Sequence, residues 1–412
     1  MKKLLLGNAA IARGAYEAGV RVVASYPGTP STEITEEVAK FKEIYSEWSP
    51  NEKVAAEVAI GAAIGGARAM SCMKHVGLNV MADPVFTVSY TGIGAGLVFC
   101  VADDPGMHSS QNEQDSRHYA EAAKIAMLEP SDSQECKDFT KLAFEISEKY
   151  DTPVFVRLTT RVSHSQSLVE LSEREERELL PYERNIAKYV MMPQNAIKRH
   201  VVVEERQAAL VELAGCAPIN SVEKNGANVG VITAGIAYTY AREALGNKVD
   251  YLKLGMVYPL SASLIADFAK NYDEVYVIEE LDPFIESFCK ANGISVKGKE
   301  LFTNPGEILC EGFYGYEEKY SSGQVALAIR AHISDTQCEA IREYSRRLVR
   351  AMGVRDLCRV DFFLSSGEIY FNEINTMPGF TDGSLYAKMI EAYGISEGTL
   401  FGLLIDNCVG RG

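Results

Sequence analysis

The chain contains 412 residues, of which 47% are hydrophobic and 24% are charged. This composition is typical of a folded globular protein and excludes a disordered or fibrous chain. Its 56 acidic side chains outnumber the 41 basic ones, and the resulting net charge of -15 repels nucleic-acid phosphates. Small molecules and other proteins are therefore the expected ligands, and nucleic acid is not.

The apolar stretches and the cysteines show which further classes of protein can be excluded. The longest nearly apolar stretch, residues 92–102, is far shorter than the roughly 20 residues of a membrane span, and the first residues lack the apolar core of a secretory signal. Nine cysteines without a Cys-x-x-Cys pair favour reduced thiols over disulfides or zinc sites. The sequence therefore predicts a cytoplasmic protein with no membrane partner and no iron–sulfur cluster in this chain.

Apolar runs alternate with helical patterns over residues 1–168. The predicted elements, in chain order, are a helix over Ala9–Glu17, a strand over Val20–Ser25, a buried small-residue helix over Glu52–Met70, a strand over Leu97–Val101, a helix that starts with a capping box at Ser131 and Gln134 and ends at Tyr150, and a strand over Val154–Leu158. Continuous apolar strands between helices are typical of a parallel sheet covered on both faces. The predicted fold class is therefore α/β.

The pattern changes twice farther along the chain. Residues 169–225 are predicted to form a linker with helices, because the apolar periodicity weakens around the charge run Glu173–Glu178. Residues 226–304 are predicted to form a second, smaller α/β domain. Its strands are predicted over Val229–Thr233, Tyr251–Leu254 and Val275–Glu280.

The last part of the chain, residues 305–412, is predicted to be an α+β fragment that follows a boundary near Pro305. A helix with a capping box at Ser334 and Gln337 is predicted to stop at Gly353. The turn residues Ser365–Gly367 separate two apolar runs, which predicts a β-hairpin.

Separate blocks of sequence carry a resemblance over residues 1 to about 300. They read SYPGTPS (25–31), WSPNEKV (48–54), MKHVGLN (73–79), ADDPGMHSSQNEQD (102–115), LEPSDSQ (128–134), TTRVSH (159–164), LGMVYPL (254–260) and EELDP (279–283). These blocks resemble the alpha subunits of the indolepyruvate ferredoxin oxidoreductase family, which are thiamine-diphosphate enzymes. The resemblance implies a thiamine pyrimidine-binding domain over residues 1–168 and a transketolase C-terminal-like domain over residues 226–304.

The chemistry that this resemblance implies is decarboxylation of an aryl 2-oxoacid on a thiazolium carbon, with the ring acting as the electron sink. The carbon becomes a nucleophile when a carboxyl shares a proton with the pyrimidine ring, and a partly buried acid with a raised pKa suits this task. Glu52 occupies the family's position for that acid, and Glu57 is the alternative. Thr29 matches a family threonine near cofactor and substrate.

Each of these residues also has a simpler interpretation. Glu52 alone would be a first-turn acid that complements a helix dipole, and Thr29 an ordinary turn residue. His75 and His108 follow strands, where ligands collect in such sheets, and are predicted to contact substrate; a structural histidine is the alternative for each. A metal site is conceivable at the pair Asp103–Asp104, but a solvated strand end is the favoured interpretation.

Two parts of the resembling family have no counterpart in this sequence. One is the second thiamine domain, which holds the diphosphate through magnesium, and the other is a tail with cysteine-bound clusters. The thiamine diphosphate site is therefore expected to be incomplete. The resemblance implies a second oxidoreductase subunit and ferredoxin as partners.

Residues from about 306 onward resemble a different family. The blocks FYGYEEKY (313–320), RVDFF (359–363), YFNEINTMPG (370–379) and SLYAKM (384–389) resemble the carboxyl-terminal part of the ATP-grasp D-alanine–D-alanine ligases. A hairpin centred on Ser366 gives Arg359, Asp361, Glu373 and Asn375 the parity of one sheet face. A cross-strand ion pair between Arg359 and Glu373 is the simpler alternative.

Roles in the ligase-like part follow from this second resemblance. Asp361, Glu373 and Asn375 are predicted to bind magnesium ions that bridge ATP phosphates. Arg359 and the amide of Gly379 are predicted to stabilise the negative charge of a tetrahedral intermediate. The backbone N–H groups of Ser384 and Leu385 are predicted to bind a substrate carboxylate.

The whole sequence is therefore interpreted as a chimera that joins two incomplete catalysts near Pro305–Glu307. The ligase-like part lacks the family's upstream nucleotide-binding residues, so its ATP and magnesium site is also expected to be incomplete. Three functions remain open: an oxidoreductase alpha-type chain that is inactive alone, an ATP-dependent D-alanine–D-alanine ligase, and a catalytically silent binding protein. Natural fusion, an assembly error and artificial joining all remain open as its origin.

Overall fold

The computed structural model describes residues 2–216, 218–299, 333–352, 354, 358–365, 368–375 and 399–400. Two compact units divide the chain, Met1–Phe302 and Thr303–Gly412. In the part of the chain that the structure describes, no helix is long and apolar enough to span a membrane.

The first unit alternates strands and helices. Its elements are β1 (Lys2–Leu6), α1 (Gly7–Glu17), β2 (Val22–Ser25), α2 (Thr32–Val38), β3 (Tyr45–Trp48), α3 (Glu52–Ile64), β4 (Ala69–Lys74), α4 (His75–Val80), α5 (Ala82–Thr91), β5 (Leu97–Asp103), α6 (Arg117–Ala123), β6 (Met127–Leu128), α7 (Ser133–Tyr150), β7 (Val154–Thr159), α8 (Thr160–His164), β8 (Gln166–Glu170), α9 (Ile186–Tyr189), α10 (Pro193–Cys216), β9 (Ser221–Glu223), β10 (Val229–Ala234), α11 (Gly235–Leu245), β11 (Asp250–Leu254), β12 (Met256–Tyr258), α12 (Ala262–Ala269), β13 (Glu274–Ile278) and α13 (Phe284–Ala291). The predicted α/β class is confirmed.

A seven-stranded sheet forms the centre of this unit, in the order β12-β6-β7-β5-β4-β2-β3. All neighbours pair in parallel except β12, which is antiparallel to β6. Strands β5 and β7 are buried along their whole length because helices cover both faces of the sheet. The side chains that follow the parallel strands therefore collect at one edge.

A second, four-stranded sheet has the order β13-β10-β11-β9. Its apolar side chains share one core with the first sheet: Phe99 and Met127 of the first sheet belong to the same buried cluster as Leu252 and Val277 of the second. Strand β12 follows β11 directly and pairs into the first sheet. The residues predicted as a separate smaller domain thus pack continuously against the larger sheet.

Two local predictions were wrong. The small-residue helix was predicted to reach Met70, but α3 ends at Ile64 and β4 begins at Ala69. Gly66 has a φ of 96°, a left-handed conformation that ends the helix and that glycine adopts without strain. The predicted capping box at Ser131 is also wrong, because Asp132 caps α7 by accepting from the Glu135 N–H at 2.8 Å.

The second unit contains three described elements: α14 (Asp335–Ala351), β14 (Arg359–Ser365) and β15 (Glu368–Asn375). The predicted capping box at Ser334 and Gln337 is confirmed. The two strands form the predicted antiparallel hairpin. The predicted helix stop at Gly353 lies outside the described residues.

Candidate functional site

Residues that the sequence placed far apart meet at the carboxyl-terminal edge of the seven-stranded sheet. Thr29 follows β2, Glu52 follows β3, His75 follows β4 and His108 follows β5. These four strands run in parallel, so their carboxyl ends lie at the same edge. The topology of the sheet therefore assembles the candidate site.

Glu52 is the buried acid of this edge. It is the first residue of α3, whose preceding Asn51 side chain accepts from the Val54 N–H at 3.0 Å. Glu52 is 8% exposed, and its carboxylate accepts no hydrogen bond from any described residue. Gly77 lies against it, because a β-carbon there would be 2.6 Å from Glu52 Oε1. Neither carboxylate oxygen of Glu52 is among the fully buried atoms without a partner, so a ligand donor can reach the carboxylate.

Glu57, the alternative acid, lies one turn farther along α3 and is exposed. Thr29 is exposed in the turn after β2, and its carbonyl oxygen accepts from the Ser109 hydroxyl at 3.3 Å. The turn and the loop that follows β5 are therefore in contact. The cofactor and substrate roles of Glu52 and Thr29 stay predictions.

The two histidines have different environments. His75 is completely buried, and its Nε2 donates to the carbonyl oxygen of Asn112 at 3.1 Å. Its Nδ1 has no partner among the described residues. This position favours the structural alternative for His75, because its ring ties the loop after β5 to the start of α4. His108 is exposed on that loop. Substrate contact by either ring stays a prediction.

The expectation that Asp103 and Asp104 form a solvated strand end is wrong, since they are 0% and 1% exposed. Asp104 accepts from the Ser109 N–H at 2.8 Å, the Ser110 hydroxyl at 2.7 Å and the Thr160 hydroxyl at 2.6 Å. Burial alone would raise the pKa of Asp104, but these hydrogen bonds outweigh it and lower the pKa. The Asp104 carboxylate therefore holds the loop after β5 through these hydrogen bonds and does not face solvent.

Asp103 belongs to a buried network of ion pairs. The guanidinium of Arg157 in β7 lies 2.7 Å from Asp103, 2.6 Å from Glu129 and 3.8 Å from Asp115. Burial raises the pKa of Asp103, and Arg157 opposes that increase. Asp115 is held by two guanidinium groups, and its pKa is lowered although burial would raise it. The network joins β5, β6 and β7 to the end of the loop after β5.

Arg117 extends this network to the second sheet. Its guanidinium lies 2.6 Å from Asp115 and 2.5 Å from Glu279, which directly follows β13. It also donates to the carbonyl oxygens of Glu280 at 2.8 Å and Asp282 at 2.9 Å. This network was not predicted from the sequence. An arginine inside the apolar run of β7 was the available signal, because a buried charge requires a partner.

A cluster of three side chains, Asp115, His118 and Asp282, is the one group with metal-ligand spacing among the described residues. Asp115 already pairs with Arg117 at 2.6 Å, which opposes a cation there. Neither Asp103 nor Asp104 belongs to this group.

A cavity of about 620 Å³ opens away from this edge. Its lining includes Arg68, Glu148, Asp151 and Lys188, and none of the predicted site residues. Arg68 and Glu148 are 2.7 Å apart, and Lys188 and Asp151 are 2.8 Å apart. These charges are therefore already paired, and the candidate site is assigned to the edge with Glu52 instead.

The hairpin of the second unit pairs Arg359 with Asn375 and Asp361 with Glu373. This pairing differs from the predicted hairpin centred on Ser366, which opposes Arg359 to Glu373, because the register shifts between Asp361 and Phe362. The Arg359 guanidinium lies 2.7 Å from the Asp361 carboxylate. The predicted site residues Gly379, Ser384 and Leu385 lie outside the described residues. The side chains of Glu373 and Asn375 also lie outside what the structure describes.

Comparison with known proteins identifies two families. The family model "Pyruvate flavodoxin/ferredoxin oxidoreductase, thiamine diP-bdg" matches residues 13–228. The family model "D-ala D-ala ligase C-terminus" matches residues 261–406. Both predicted resemblances are therefore confirmed, and the pair of matches is consistent with a chimera.

Similar proteins come from both families. Indolepyruvate oxidoreductase subunit IorA of Archaeoglobus fulgidus is 42% identical over 341 residues, which cover 80% of this chain and 53% of that protein. The same subunit of Pyrococcus horikoshii is 45% identical over 320 residues, 73% of this chain and 49% of that protein. The D-alanine–D-alanine ligase of Treponema pallidum is 37% identical over 151 residues, 36% of this chain and 37% of the ligase.

The chain thus spans about half the length of the indolepyruvate oxidoreductase subunits that it matches. Among solved structures, a 2-oxoglutarate:ferredoxin oxidoreductase from Magnetococcus marinus has a TM-score of 0.61 at 18% identity. That match covers 72% of this chain and 61% of the other. It supports the fold of the larger unit.

The buried network predicts a pH-dependent loss of stability. Replacing Arg157 by methionine leaves Asp103 uncompensated, and we expect a loss of about 3–5 kcal/mol at about pH 7.5. Burial raises the folded-state pKa of Asp103 above its unfolded value of about 4. Asp103 therefore stabilises the fold at a pH below that unfolded value, and this stabilisation is lost as the pH rises through the folded-state pKa. The loss should therefore be smaller at about pH 5.

Urea unfolding, followed through the fluorescence of the single tryptophan Trp48, measures the free energy of unfolding at both pH values. Arg242→Met is the control, because Arg242 pairs with Glu223 in a partly exposed position and should cost about 1 kcal/mol or less. A loss for Arg157→Met that is equal or larger at the lower pH would contradict the interpretation.

Proposed function

Since the chain belongs to the pyruvate flavodoxin/ferredoxin oxidoreductase thiamine-diphosphate-binding family, we propose that Met1–Phe302 is the pyrimidine-binding half of a thiamine diphosphate site in an oxidoreductase alpha-type chain. One observation carries the proposal: Glu52 is only 8% exposed, and no described residue donates a hydrogen bond to its carboxylate. Its partner is then the cofactor's pyrimidine ring. Gly77 leaves the space for that carboxylate, because any β-carbon there would overlap it.

Thiamine diphosphate, when bound, supplies a nucleophilic thiazolium carbon and an electron sink for decarboxylation. The chain's own residues position and activate it. Glu52 shares a proton with a nitrogen of the pyrimidine ring. The exposed Thr29 hydroxyl donates to the carbonyl or carboxylate of the substrate. Glu57, which is exposed, has no part in this chemistry.

Substrate and partners are part of the same proposal. The most similar proteins described above are named indolepyruvate oxidoreductase subunits, so an aryl 2-oxoacid is the proposed substrate. We propose that another subunit supplies the diphosphate and magnesium ligands, and that ferredoxin accepts the electrons. The proposed location is cytoplasmic, with no iron–sulfur cluster in this chain. The chain alone is then proposed to bind cofactor without completing turnover.

Replacing Glu52 by glutamine, which has nearly the same shape but cannot ionise, tests the proposed role of Glu52. Thiamine diphosphate with magnesium should quench the fluorescence of Trp48, which lies four residues before Glu52 and is 46% exposed. The variant Glu52→Gln cannot exchange the proton, and we expect its Kd for the cofactor to rise about tenfold, the scale of one charge-assisted hydrogen bond.

The matched control is Glu57→Gln, which changes an exposed acid of the same helix and should leave the Kd unchanged. Equal affinity of Glu52→Gln and the unsubstituted chain would overturn the assignment. Loss of affinity in Glu57→Gln but not in Glu52→Gln would also overturn the assignment.

The second candidate function is an ATP-dependent D-alanine–D-alanine ligase activity of the second unit. The hairpin register, which opposes Asp361 to Glu373, is the observation that favours a magnesium and ATP site there. The match covers only 37% of the ligase from Treponema pallidum, so we propose that this fragment is catalytically silent in the present chain.

Phosphate release from ATP in the presence of magnesium and D-alanine tests this second function. We expect phosphate to be released no faster than in the same mixture without the protein. D-Alanine-dependent release that Asp361→Asn abolishes would instead establish ligase activity.

A further inference from the structure

Lys74 has an unusual position for a lysine at the candidate site. It is the last residue of β4, between the turn that contains Thr29 and the loop after β5. Its aliphatic stem covers Gly28, where an added β-carbon would lie 3.0 Å from Lys74 Cδ and 3.1 Å from Cγ. Its ammonium donates to the carbonyl oxygen of Ser109 at 3.1 Å.

The charge of Lys74 is not neutralised by the part of the chain that the structure describes. No described carboxylate lies within 4.0 Å of its ammonium, whereas the lysines Lys53, Lys188 and Lys253 all pair with acids. An ammonium has three donors, and one carbonyl uses only one of them. The nearby Asp104 already accepts from the Ser109 N–H and two hydroxyl groups. A half-buried cation thus retains donors for an anion.

The surroundings of Lys74 show which side of the site it belongs to. Helix α4 begins directly after Lys74, and Gly77 of that helix contacts the Glu52 carboxylate. On the other side, the Ser109 hydroxyl joins the loop after β5 to the Thr29 carbonyl oxygen at 3.3 Å. The cation therefore lies beside the turn that carries the exposed Thr29, directly before the helix that contacts the acid.

We propose that Lys74 binds the carboxylate of the 2-oxoacid substrate, an inference that rests on the proposed function. A 2-oxoacid carries one carboxylate next to its reacting carbonyl carbon, so a fixed cation orients that carbonyl. Lys74 serves as a point charge, and the Thr29 hydroxyl beside it supplies a neutral donor. The residue selects for 2-oxoacids over neutral carbonyl compounds of the same shape.

This role predicts an effect on binding rather than on the chemical step. A cation that holds the carboxylate stabilises the bound substrate before carbon dioxide leaves, and that charge interaction is not strengthened as the carboxylate is lost. In a complete enzyme, loss of Lys74 should therefore raise KM for the 2-oxoacid more than it lowers kcat. The full chain can be tested by binding alone.

Calorimetric titration of the full chain with phenylpyruvate, in the presence of thiamine diphosphate and magnesium, measures the proposed interaction. For Lys74→Met we expect a Kd that is about tenfold higher, a factor that corresponds to about 1.4 kcal/mol. The methyl ester of phenylpyruvate lacks the charge and should bind equally to both proteins. Lys74→Arg keeps the charge and should retain most of the affinity.

Two further variants make the test specific. Lys270→Met removes an exposed lysine that pairs with Asp267 in the second sheet's helical layer, and it should not change the Kd. Gly28→Ala keeps Lys74 but places a β-carbon 3.0 Å from its stem, which should displace the ammonium and weaken acid binding. This variant carries the test if Lys74→Met fails to fold.

The outcomes separate this proposal from the proposed function. If Lys74→Met binds the acid as tightly as the unsubstituted chain while Glu52→Gln loses cofactor affinity, the Lys74 role is overturned and the proposed function stands. If the unsubstituted chain binds neither thiamine diphosphate nor phenylpyruvate, both are overturned. An equal loss of affinity for acid and ester would also overturn the charge role.

Discussion

The ion pairs of Arg157 are the interaction on which the architecture of the larger unit depends. A completely buried guanidinium is costly to desolvate, and here three carboxylates compensate it at distances from 2.6 to 3.8 Å. Asp103 is the last residue of β5 and Asp115 lies at the end of the following loop, so the network fixes both ends of that loop. Arg117 continues the chain of charges to Glu279 beside the second sheet. Loop and second sheet are thereby held at the strand ends where the candidate site lies.

Within that frame, the parallel sheet places an acid and a lysine at the ends of two strands that both pair with β2. Glu52 follows β3 and is buried, whereas Lys74 ends β4 and keeps part of its ammonium available. An acid that exchanges a proton with a cofactor and a cation that holds an anionic substrate are complementary requirements of 2-oxoacid decarboxylation. The proposed site therefore combines both requirements at one edge of the sheet, in a chain that spans about half the length of the oxidoreductase subunits that it matches.

The sequence predicted the strands better than the contacts between them. Leu97–Val101 and Val154–Leu158 were found within two residues, because strands buried on both faces are continuous apolar runs. Glu52 was selected through a resemblance, and its burial could not be predicted, since spacing alone does not distinguish it from a first-turn acid on the surface. Helix α3 was predicted too long because alanine and glycine continue beyond Gly66, whose backbone conformation is set by tertiary packing. The partners of Arg157 lie 28 or more residues away, so no local pattern identified them.

The most direct test of the account is the exchange of the C2 proton of thiamine diphosphate with deuterium, followed by NMR at saturating cofactor. If Glu52 shares its proton with the pyrimidine ring, the full chain should accelerate this exchange about 100-fold or more over buffer, the scale of general acid–base assistance. Glu52→Gln should remove that acceleration. Exchange of the bound cofactor at the rate measured in buffer, or equal acceleration by both proteins, would contradict the central claim.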